Sequence, residues 1–261
     1  MSEIFTINRL SARYGEREVI HDLSLSLKTG LFYGLIGPNG SGKTTLIDLM
    51  LASLPPSQGE ILLRGQNITT YSHRQKALEI ALVPQDFRIN FDFTVYEVVM
   101  MGRHPHIPRF ANPGLADRTV VDQVLTELEI TELADRLITQ LSGGEKQRVV
   151  VARALAQATP IMILDEATSS LDIQHSLHIF QVLKRRQYEE QITVIAAIHD
   201  LNFAAAYCDA IILLNHGRLV TIGSPHEVLT RERLQEVFAI DCQVYEQPYS
   251  GAHQVAYRYS A

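Results

Sequence analysis

Hydrophobic and polar residues alternate with a period of two near the start of the chain. Phe5 and Ile7 lie two residues apart, and Leu occupies every second position of residues 23–27. This alternation is typical of half-buried strands, so we expect antiparallel sheet within the first thirty or so residues. A short strand is predicted at residues 60–64. Four apolar runs indicate further strands, the last two of them buried and parallel: residues 31–36, 80–83, 161–164 and 192–198.

Helical spacing of apolar residues dominates elsewhere in the chain. Residues 94–139 have a helical pattern that is interrupted by a loop at 102–114. A hairpin is predicted from residues 210–214 and 218–222, around a turn that contains Gly217. Strands that alternate with helices in this way predict a parallel sheet with crossover helices. The other predicted helices are residues 145 to about 157, 173 to about 188, and 201–207.

A glycine-rich turn joins the strand at residues 31–36 to an apolar helix and fits the pattern G-x-x-x-x-G-K-[ST]. Its backbone N–H groups and the helix N-terminus suit phosphate oxygens. Lys43 is expected to reach the β- and γ-phosphates, and the Thr44 hydroxyl to bind Mg²⁺. A chance lysine in a structural turn is the alternative, which the flanking strand and helix disfavour. We therefore predict nucleoside triphosphate binding by Gly37, Pro38, Asn39, Gly40, Ser41, Gly42, Lys43, Thr44 and Thr45.

Polar side chains at the ends of predicted strands are candidates for catalysis. Asp165 and Glu166 follow a buried strand, at the position where α/β sheets bind ligands. Asp165 can hold Mg²⁺ and Glu166 can orient an attacking water, unless both merely cap the next helix. His199 can contact a γ-phosphate, with a structural histidine as the alternative. Gln85 follows a strand and a proline, and its amide can join the metal and its water shell, although a turn glutamine is usually just solvated.

Composition limits the class of protein. The 261 residues are 46% hydrophobic and 20% charged, which is ordinary for a soluble globular protein with one α/β domain or a core with a smaller subdomain. A net charge of -6 argues against nucleic acid as a main partner. Because we see neither a secretory signal nor a run of 18 apolar residues, we expect no membrane span and a cytosolic setting. Cys208 and Cys242 are expected to be reduced thiols.

Residues 141–148 contain a second predicted anion site. They read Leu-Ser-Gly-Gly-Glu-Lys-Gln-Arg, which is a serine cap and two glycines that open a helix. One chain rarely needs two such sites for one triphosphate. Together the motifs resemble the ATP-binding cassette (ABC) ATPases, in the family's order and spacing over essentially the whole chain: residues 37–45, Gln85, 141–147, 161–166, 169–172 and His199.

The resemblance implies a P-loop NTPase (RecA-like) parallel-sheet core with an N-terminal antiparallel β subdomain. It implies one nucleotide-binding domain over residues 1–261, with a helical subdomain inserted at about 86–150. Two cassettes of this family pair head to tail, so that the second anion site of one chain completes the ATP site of the other. Tyr14 matches the aromatic residue that stacks on adenine, with a simple turn tyrosine as the alternative. Further implied ATP contacts are Ser142, Gly143, Gly144, Gln147 and Asp172.

Two positions depart from the commonest family pattern. Ala167 stands where proline usually follows the catalytic glutamate, and Ser170 where close relatives often carry histidine. Neither change removes a charge or a phosphate ligand. We expect an altered turn rigidity and rate, and retained activity.

The chain resembles one branch of the family more than others. It lacks a long coiled-coil insert, a second cassette and fused membrane helices, which leaves a separate subunit that docks on a partner. Residues 94–106, 199–202 and parts of the tail at 227–244 resemble importer ATPases for ferric siderophores, haem and cobalamin. Val95, Val98 and Val99 either line a groove for a permease helix or belong to the core. Solvated or packed side chains, and not metal ligands, are expected at His104, His106, His175 and His178.

The importer resemblance implies a homodimer that binds ATP and Mg²⁺ beneath two permease subunits. Its expected location is the cytoplasmic face of the inner membrane, as a peripheral subunit that serves a substrate-binding protein indirectly. Two alternatives stay open at this point. One is a soluble ATPase similar to the iron–sulfur assembly cassette, and the other is an importer ATPase for molybdate, zinc or manganese. The sequence does not identify the transported substrate.

Overall fold

The computed structural model describes residues 2–87, 91–167 and 171–258. The chain forms two compact units, the first of Met1–Thr70 with Thr193–Ala261 and the second of Tyr71–Ile192. The strands are β1 (Glu3–Tyr14), β2 (Arg17–Lys28), β3 (Phe32–Ile36), β4 (Gln58–Leu63), β5 (Gln66–Asn67), β6 (Ile80–Val83), β7 (Ile161–Asp165), β8 (Thr193–Ala197), β9 (Ala210–Asn215), β10 (Arg218–Gly223), β11 (Cys242–Glu246) and β12 (His253–Tyr257). The α-helices are α1 (Lys43–Met50), α2 (His73–Glu79), α3 (Val95–Met100), α4 (Leu115–Glu127), α5 (Gly143–Ala156), α6 (Ile173–Glu190), α7 (Leu201–Tyr207), α8 (Pro225–Val228) and α9 (Arg231–Phe238).

The first unit contains the predicted antiparallel sheet, with strand order β2-β1-β4-β5. Leu23, Leu25 and Leu27 of β2 are buried, and the residues between them are exposed. The period of two therefore reflects one face packed on the core and one face in solvent. This sheet confirms the expected N-terminal β subdomain.

A second sheet in the first unit has β3 at its centre. Strands β8 and β9 flank β3 and run parallel to it, and β10 forms a hairpin with β9. Every residue of β3 and β8 is buried. This confirms the buried parallel strand that the apolar run at 192–198 predicts. The glycine-rich turn leaves the carboxyl end of β3, which is where parallel sheets place ligand sites.

The second unit pairs β6 with β7 in parallel, from Ile80 opposite Ile161 to Val83 opposite Leu164. Helix α3 of this unit packs against α4 and α5, and its residues Val95, Val98 and Val99 are 0% exposed. The core interpretation of these valines is therefore right, and the groove interpretation is wrong. The predicted bounds of the inserted helical subdomain, about 86–150, remain a prediction.

The structure differs from the sequence expectations at helix starts and in polar segments. Helix α5 begins at Gly143, two residues earlier than predicted, because Ser142 is its N-cap. Helix α2 was missed because none of its residues is buried, so that it has no apolar periodicity. Its signal is the Ser72–Gln75 capping box. The tail also forms elements for which we predicted no structure, namely α8, α9 and the β11–β12 hairpin.

In the described part of the chain, no helix combines the length and the apolar character that crossing a bilayer requires.

One charged cluster links two helices of the second unit. The carboxylate of Glu127, at the end of α4, accepts hydrogen bonds from Arg185 and Arg186 of α6. Burial raises the pKa of this carboxyl group, but the hydrogen bonds from Arg186 and then Arg185 outweigh burial and leave the pKa below its ordinary value. The side chains of Glu127 and Arg186 are only 12% and 15% exposed, so solvent screens the pair weakly.

Replacing this carboxylate tests the cluster. We expect Glu127→Gln to lower the free energy of unfolding by about 2 kcal/mol at neutral pH, since the poorly solvated Arg186 loses its counter-charge. A carboxyl group whose folded pKa is lowered contributes stability above its unfolded pKa, and that contribution is lost as pH falls through the folded value. The difference between variant and wild type should therefore persist above the ordinary glutamate value of 4.5 and shrink below it. Urea unfolding of both proteins at several pH values measures this difference in the free energy of unfolding.

Glu190 provides the matched control, because it lies 3.5 Å from Arg186 but is 51% exposed. Glu190→Gln should change stability by less than about 0.5 kcal/mol. If Glu127→Gln lowers the free energy of unfolding equally at neutral and acid pH, the charge of Glu127 does not stabilise the fold.

Candidate functional site

The predicted phosphate loop connects β3 to α1 in a conformation that depends on glycine. A Cβ atom on Gly37 would lie 2.3 Å from the carbonyl oxygen of Leu214 in β9. Gly42 has a φ of 102°, and a Cβ atom there would lie 2.7 Å from Cδ1 of Ile20. The loop is closed by hydrogen bonds from Ser41 N to Pro38 O, 3.1 Å, and from Gly217 N to Ser41 O, 3.0 Å. Close contact with the backbone of β9 therefore excludes larger residues at position 37, and the left-handed φ disfavours them at position 42.

The polar groups of this loop suit an anion with several oxygens. Lys43 is 5% exposed, and its ammonium donates to the carbonyl oxygens of Gly37, 3.0 Å, and Pro38, 3.3 Å. Gly42, the N-cap of α1, offers no side-chain hydrogen bond to the first N–H groups of the helix. The hydroxyl of Ser41 is buried and has no hydrogen-bond partner among the described residues. Backbone donors, a hydroxyl and an ammonium are the groups that hold phosphate.

Most of the other predicted residues of the first unit are exposed. Thr44 is exposed and Thr45 is buried, both in the first turn of α1. Tyr14 is 50% exposed, with its hydroxyl 3.4 Å from Oδ2 of Asp48. His199 is exposed and follows β8, and the next residue, Asp200, caps α7.

The predicted acidic pair lies in the second unit, at the end of β7. Asp165 is 6% exposed. Glu166 has a φ of 52°, a left-handed conformation that is uncommon for a non-glycine residue and costs about 1 kcal/mol or more. Its Oε2 accepts a hydrogen bond of 2.8 Å from Nε2 of Gln85, which follows β6. The structure thus brings together two predicted catalytic residues, while the helix-capping alternative is wrong because Asp172 caps α6.

The second predicted anion site opens α5. Ser142 and Glu145 form a capping box, and hydrogen bonds from the Ser142 hydroxyl and backbone lower the pKa of Glu145. A Cβ atom on Gly143 would meet nothing within 4 Å, and one on Gly144 would only reach ordinary contact with Leu171 at 3.5 Å. Packing inside the described chain therefore does not require these two glycines. Gln147 is 8% exposed and lies within α5.

Asp172 is engaged within the chain. Its carboxylate accepts a hydrogen bond from the backbone N–H of His175 and lies 2.9 Å from Nδ1 of the same residue. The backbone hydrogen bond is the largest cause of its lowered pKa, followed by the side-chain hydrogen bond. Ala167 is buried, whereas Ser169 and the departure at Ser170 lie outside the described residues.

Three of the four histidines that could suggest a metal site, His106, His175 and His178, have side-chain partners in the protein. Nε2 of His106 lies 2.7 Å from the carbonyl oxygen of Gln157, and Nδ1 of His178 lies 3.8 Å from Glu129. Within residues 2–87, 91–167 and 171–258, no three His, Cys, Asp or Glu side chains are grouped so that they could hold a metal ion.

One contact of the loop was not anticipated from the sequence. The turn that contains Gly217 was predicted, but not its hydrogen bond to Ser41. A Cβ atom on Gly217 would lie 2.0 Å from the carbonyl oxygen of Val19 in β2, and its φ is 72°. The only available sequence signal was the glycine itself, in a hairpin turn.

Two alanine substitutions distinguish the glycines of the two predicted anion sites. Gly37→Ala should destabilise the chain by more than about 1 kcal/mol, because the methyl group meets the backbone of β9. Gly143→Ala should stabilise it by about 0.5 kcal/mol, since the methyl group meets nothing and alanine favours the helix. Urea unfolding of both variants shows whether each substitution raises or lowers the free energy of unfolding. A destabilising Gly143→Ala would show that this glycine serves packing within the chain.

Comparison with known proteins finds relatives that match most of the chain. The cobalamin import ATP-binding protein of Halobacterium salinarum is 39% identical over 94% of this chain, which spans 61% of the length of that protein. The hemin import ATP-binding protein of Thermobifida fusca is 38% identical over 93% of this chain and 84% of its own length. The ferric enterobactin transport ATP-binding protein of Escherichia coli is 36% identical over 93% of this chain and 90% of its own.

Solved structures share the fold. An inward-facing transporter described as of the metal-chelate type superposes with a TM-score of 0.84 at 30% identity, covering 98% of this chain and 97% of the other. A dimeric bacterial ABC transporter cassette gives a TM-score of 0.78 at 28% identity, covering 85% and 99%. Residues 20–169 match the family described as ABC transporter. This match covers more than half of the 261 residues, and the chain therefore belongs to the ABC transporter family.

Proposed function

We propose that this chain is the ATP-hydrolysing subunit of an importer for a metal chelate. The hydrogen bond between Gln85 and Glu166 is the observation that carries the proposal. It joins two distant parts of the sequence beside the buried Asp165. Glu166 also has a left-handed backbone conformation of the kind that proteins retain mostly where function requires it. Structural packing alone gives no reason for a glutamine amide and a strained glutamate at adjacent strand ends.

The ATP site is assigned to the loop that follows β3. In this proposal Lys43, the Ser41 hydroxyl and the loop N–H groups hold the phosphates, and Tyr14 stacks on adenine. The glycines of the loop, with Pro38, Asn39 and Thr45, shape the backbone that approaches the phosphate oxygens. The buried, unpartnered hydroxyl of Ser41 supports this assignment, because ordered polar groups of this kind are usually satisfied by a ligand when the protein offers no partner.

Hydrolysis is assigned to the strand-end residues. The hydroxyl of Thr44, the amide oxygen of Gln85 and the carboxylate of Asp165 are each assigned to Mg²⁺, because oxygen atoms are the donors that this ion prefers. When bound, Mg²⁺ offsets the negative charge that the phosphate oxygens carry. Glu166 accepts a hydrogen bond from the attacking water and orients it, and the imidazole of His199 contacts the γ-phosphate.

The dimer is the second part of the proposal. Gly143 and Gly144 are not required by packing within the described chain, so the close approach that glycine permits is assigned to a second copy. In a head-to-tail pair, the ATP held by the second copy would lie against the start of α5, near Ser142. Gln147 and Asp172 are assigned to the same contact with the second copy's ATP. The dimeric cassette among the similar structures supports it.

Transport rests on the relatives. Proteins named for import of cobalamin, hemin and ferric enterobactin are 36–39% identical to this chain over most of its length. We therefore assign a cobalamin, haem or ferric siderophore as the transported substrate. The ATPase dimer docks on two permease subunits at the cytoplasmic face of the inner membrane and meets the substrate-binding protein only through them.

The role of Glu166 is tested by its amide variant. Glu166→Gln should lower ATP hydrolysis by about 100-fold or more, since the amide cannot polarise the water, while ATP binding and the oxygen that accepts from Gln85 are kept. ATP should then trap a dimer that gel filtration with light scattering detects. Glu129→Gln is the matched control, because Glu129 also has a positive φ, 54°, but is 74% exposed. Unchanged phosphate release in Glu166→Gln would refute the assignment.

The transport assignment is tested by isolation from native membranes. The tagged chain should co-purify with a permease of several membrane-spanning helices, which mass spectrometry identifies. The binding protein encoded beside that permease can then be tested for cobalamin, haem and siderophore. If only soluble scaffold proteins accompany the chain, the transport assignment fails and the ATPase assignment stands.

A further inference from the structure

A cation–π contact in the second unit links α5 to the segment that carries Gln85. The guanidinium carbon of Arg153 lies 4.2 Å from the ring centroid of Phe87. Phe87 is two residues after Gln85, so the position of its ring limits where the Gln85 amide can lie. Neither residue was singled out by the sequence motifs.

The surroundings of Arg153 make this contact important. The guanidinium is largely withdrawn from water, and its burial lowers the pKa of Arg153. No carboxylate pairs with it in the portion of the chain that the structure describes. A cation with little hydration and no counter-charge gains most from the electron-rich face of an aromatic ring. Phe87 is therefore its main compensating partner among the described residues.

The backbone around Arg153 is held firmly. A Cβ atom on Gly102 would lie 2.2 Å from the carbonyl oxygen of Arg153, so this turn and α5 are in backbone contact. Arg103, which follows Gly102, makes two further hydrogen bonds. Its Nη1 donates to the carbonyl oxygen of Ala156 at 2.8 Å, and its Nε donates to Asp117 at 3.0 Å. Arg153 therefore projects from a fixed part of α5, and the segment with Phe87 is the part that it can restrain.

We propose that Arg153 is a positioning residue that holds Phe87 and thereby keeps the Gln85 amide hydrogen-bonded to Glu166. The inference rests on the proposed ATPase function and adds two residues to it. Arg153 belongs to the helix that Ser142 and Gly143 open, so the contact also transmits the position of that helix to Gln85. Neither Arg153 nor Phe87 touches the reacting groups in this assignment.

The kinetic consequence separates positioning from nucleotide binding. The loop at residues 37–45 belongs to the first unit and contains neither residue. Loss of the contact should therefore lower kcat and leave KM for ATP within about twofold of wild type. We expect Phe87→Leu and Arg153→Met each to lower kcat by about 10- to 100-fold, as small misplacements of catalytic groups do. Phe87→Tyr retains the ring face and should stay within about twofold of wild type.

Two further measurements test the pair itself. If both residues act through one contact, Phe87→Leu with Arg153→Met should be no slower than the slower single variant. The chain contains no Trp, so Phe87→Trp introduces a single indole fluorophore at this position. Its emission should shift when Arg153→Met is added, because the indole loses its cationic neighbour, and an unchanged spectrum would contradict the contact.

Arg109 and Phe110 form the matched control pair. The guanidinium carbon of Arg109 lies 5.1 Å from the ring centroid of Phe110, which is 93% exposed. Arg109→Met and Phe110→Leu should leave kcat and KM unchanged. Thermal unfolding shows which variants fold. If Arg153→Met does not fold, the kcat values of Phe87→Leu and Phe87→Tyr decide whether the contact positions Gln85.

The outcomes distinguish this inference from the function on which it rests. If the wild-type chain hydrolyses ATP and a folded Phe87→Leu does so equally fast, the positioning role is overturned and the ATPase assignment stands. The same holds if Phe87→Tyr is as slow as Phe87→Leu, or if the two substitutions act additively. A wild-type chain without ATP hydrolysis overturns both.

Discussion

The close packing of backbone against backbone behind the phosphate loop is the constraint on which the first unit depends. Gly37 lies against the carbonyl oxygen of Leu214, and Gly217 lies against that of Val19 while it donates to Ser41. These contacts join β2, β3 and the β9–β10 turn at distances that a single methyl group would prevent. The loop therefore keeps its shape through the strands that surround it, and Lys43 is directed back over its carbonyl oxygens.

The second unit places its chemistry on a strained residue. Glu166 adopts a left-handed conformation directly after a strand whose residues are all buried, and its carboxylate accepts from Gln85. A strained backbone persists only where its surroundings hold it. The parallel pairing of β6 with β7 supplies that support, because it brings the two strand ends, and so Gln85 and Glu166, to the same edge.

The glycines at the start of α5 have the opposite character. Gly37 and Gly217 are required by their neighbours in the chain, whereas Gly143 has open space where its side chain would be. Glycine at such a position weakens the helix without any gain inside the chain. Contacts within one chain therefore do not explain why residue 143 is glycine, and the proposed contact with a second copy does.

The sequence by itself determined the secondary structure wherever burial is periodic, and it determined the family through local motifs. The period of two in β2 and the bare runs of β3, β7 and β8 reflect which faces meet the core, and each chain segment carries that information itself. Polar helix α2 has no buried face and was missed for the same reason. Only the tertiary structure decided that Val95 is core, that Gln85 bonds to Glu166 across 81 residues of sequence, and that Phe87 meets Arg153. Such contacts depend on how distant segments are brought together, which no local pattern specifies.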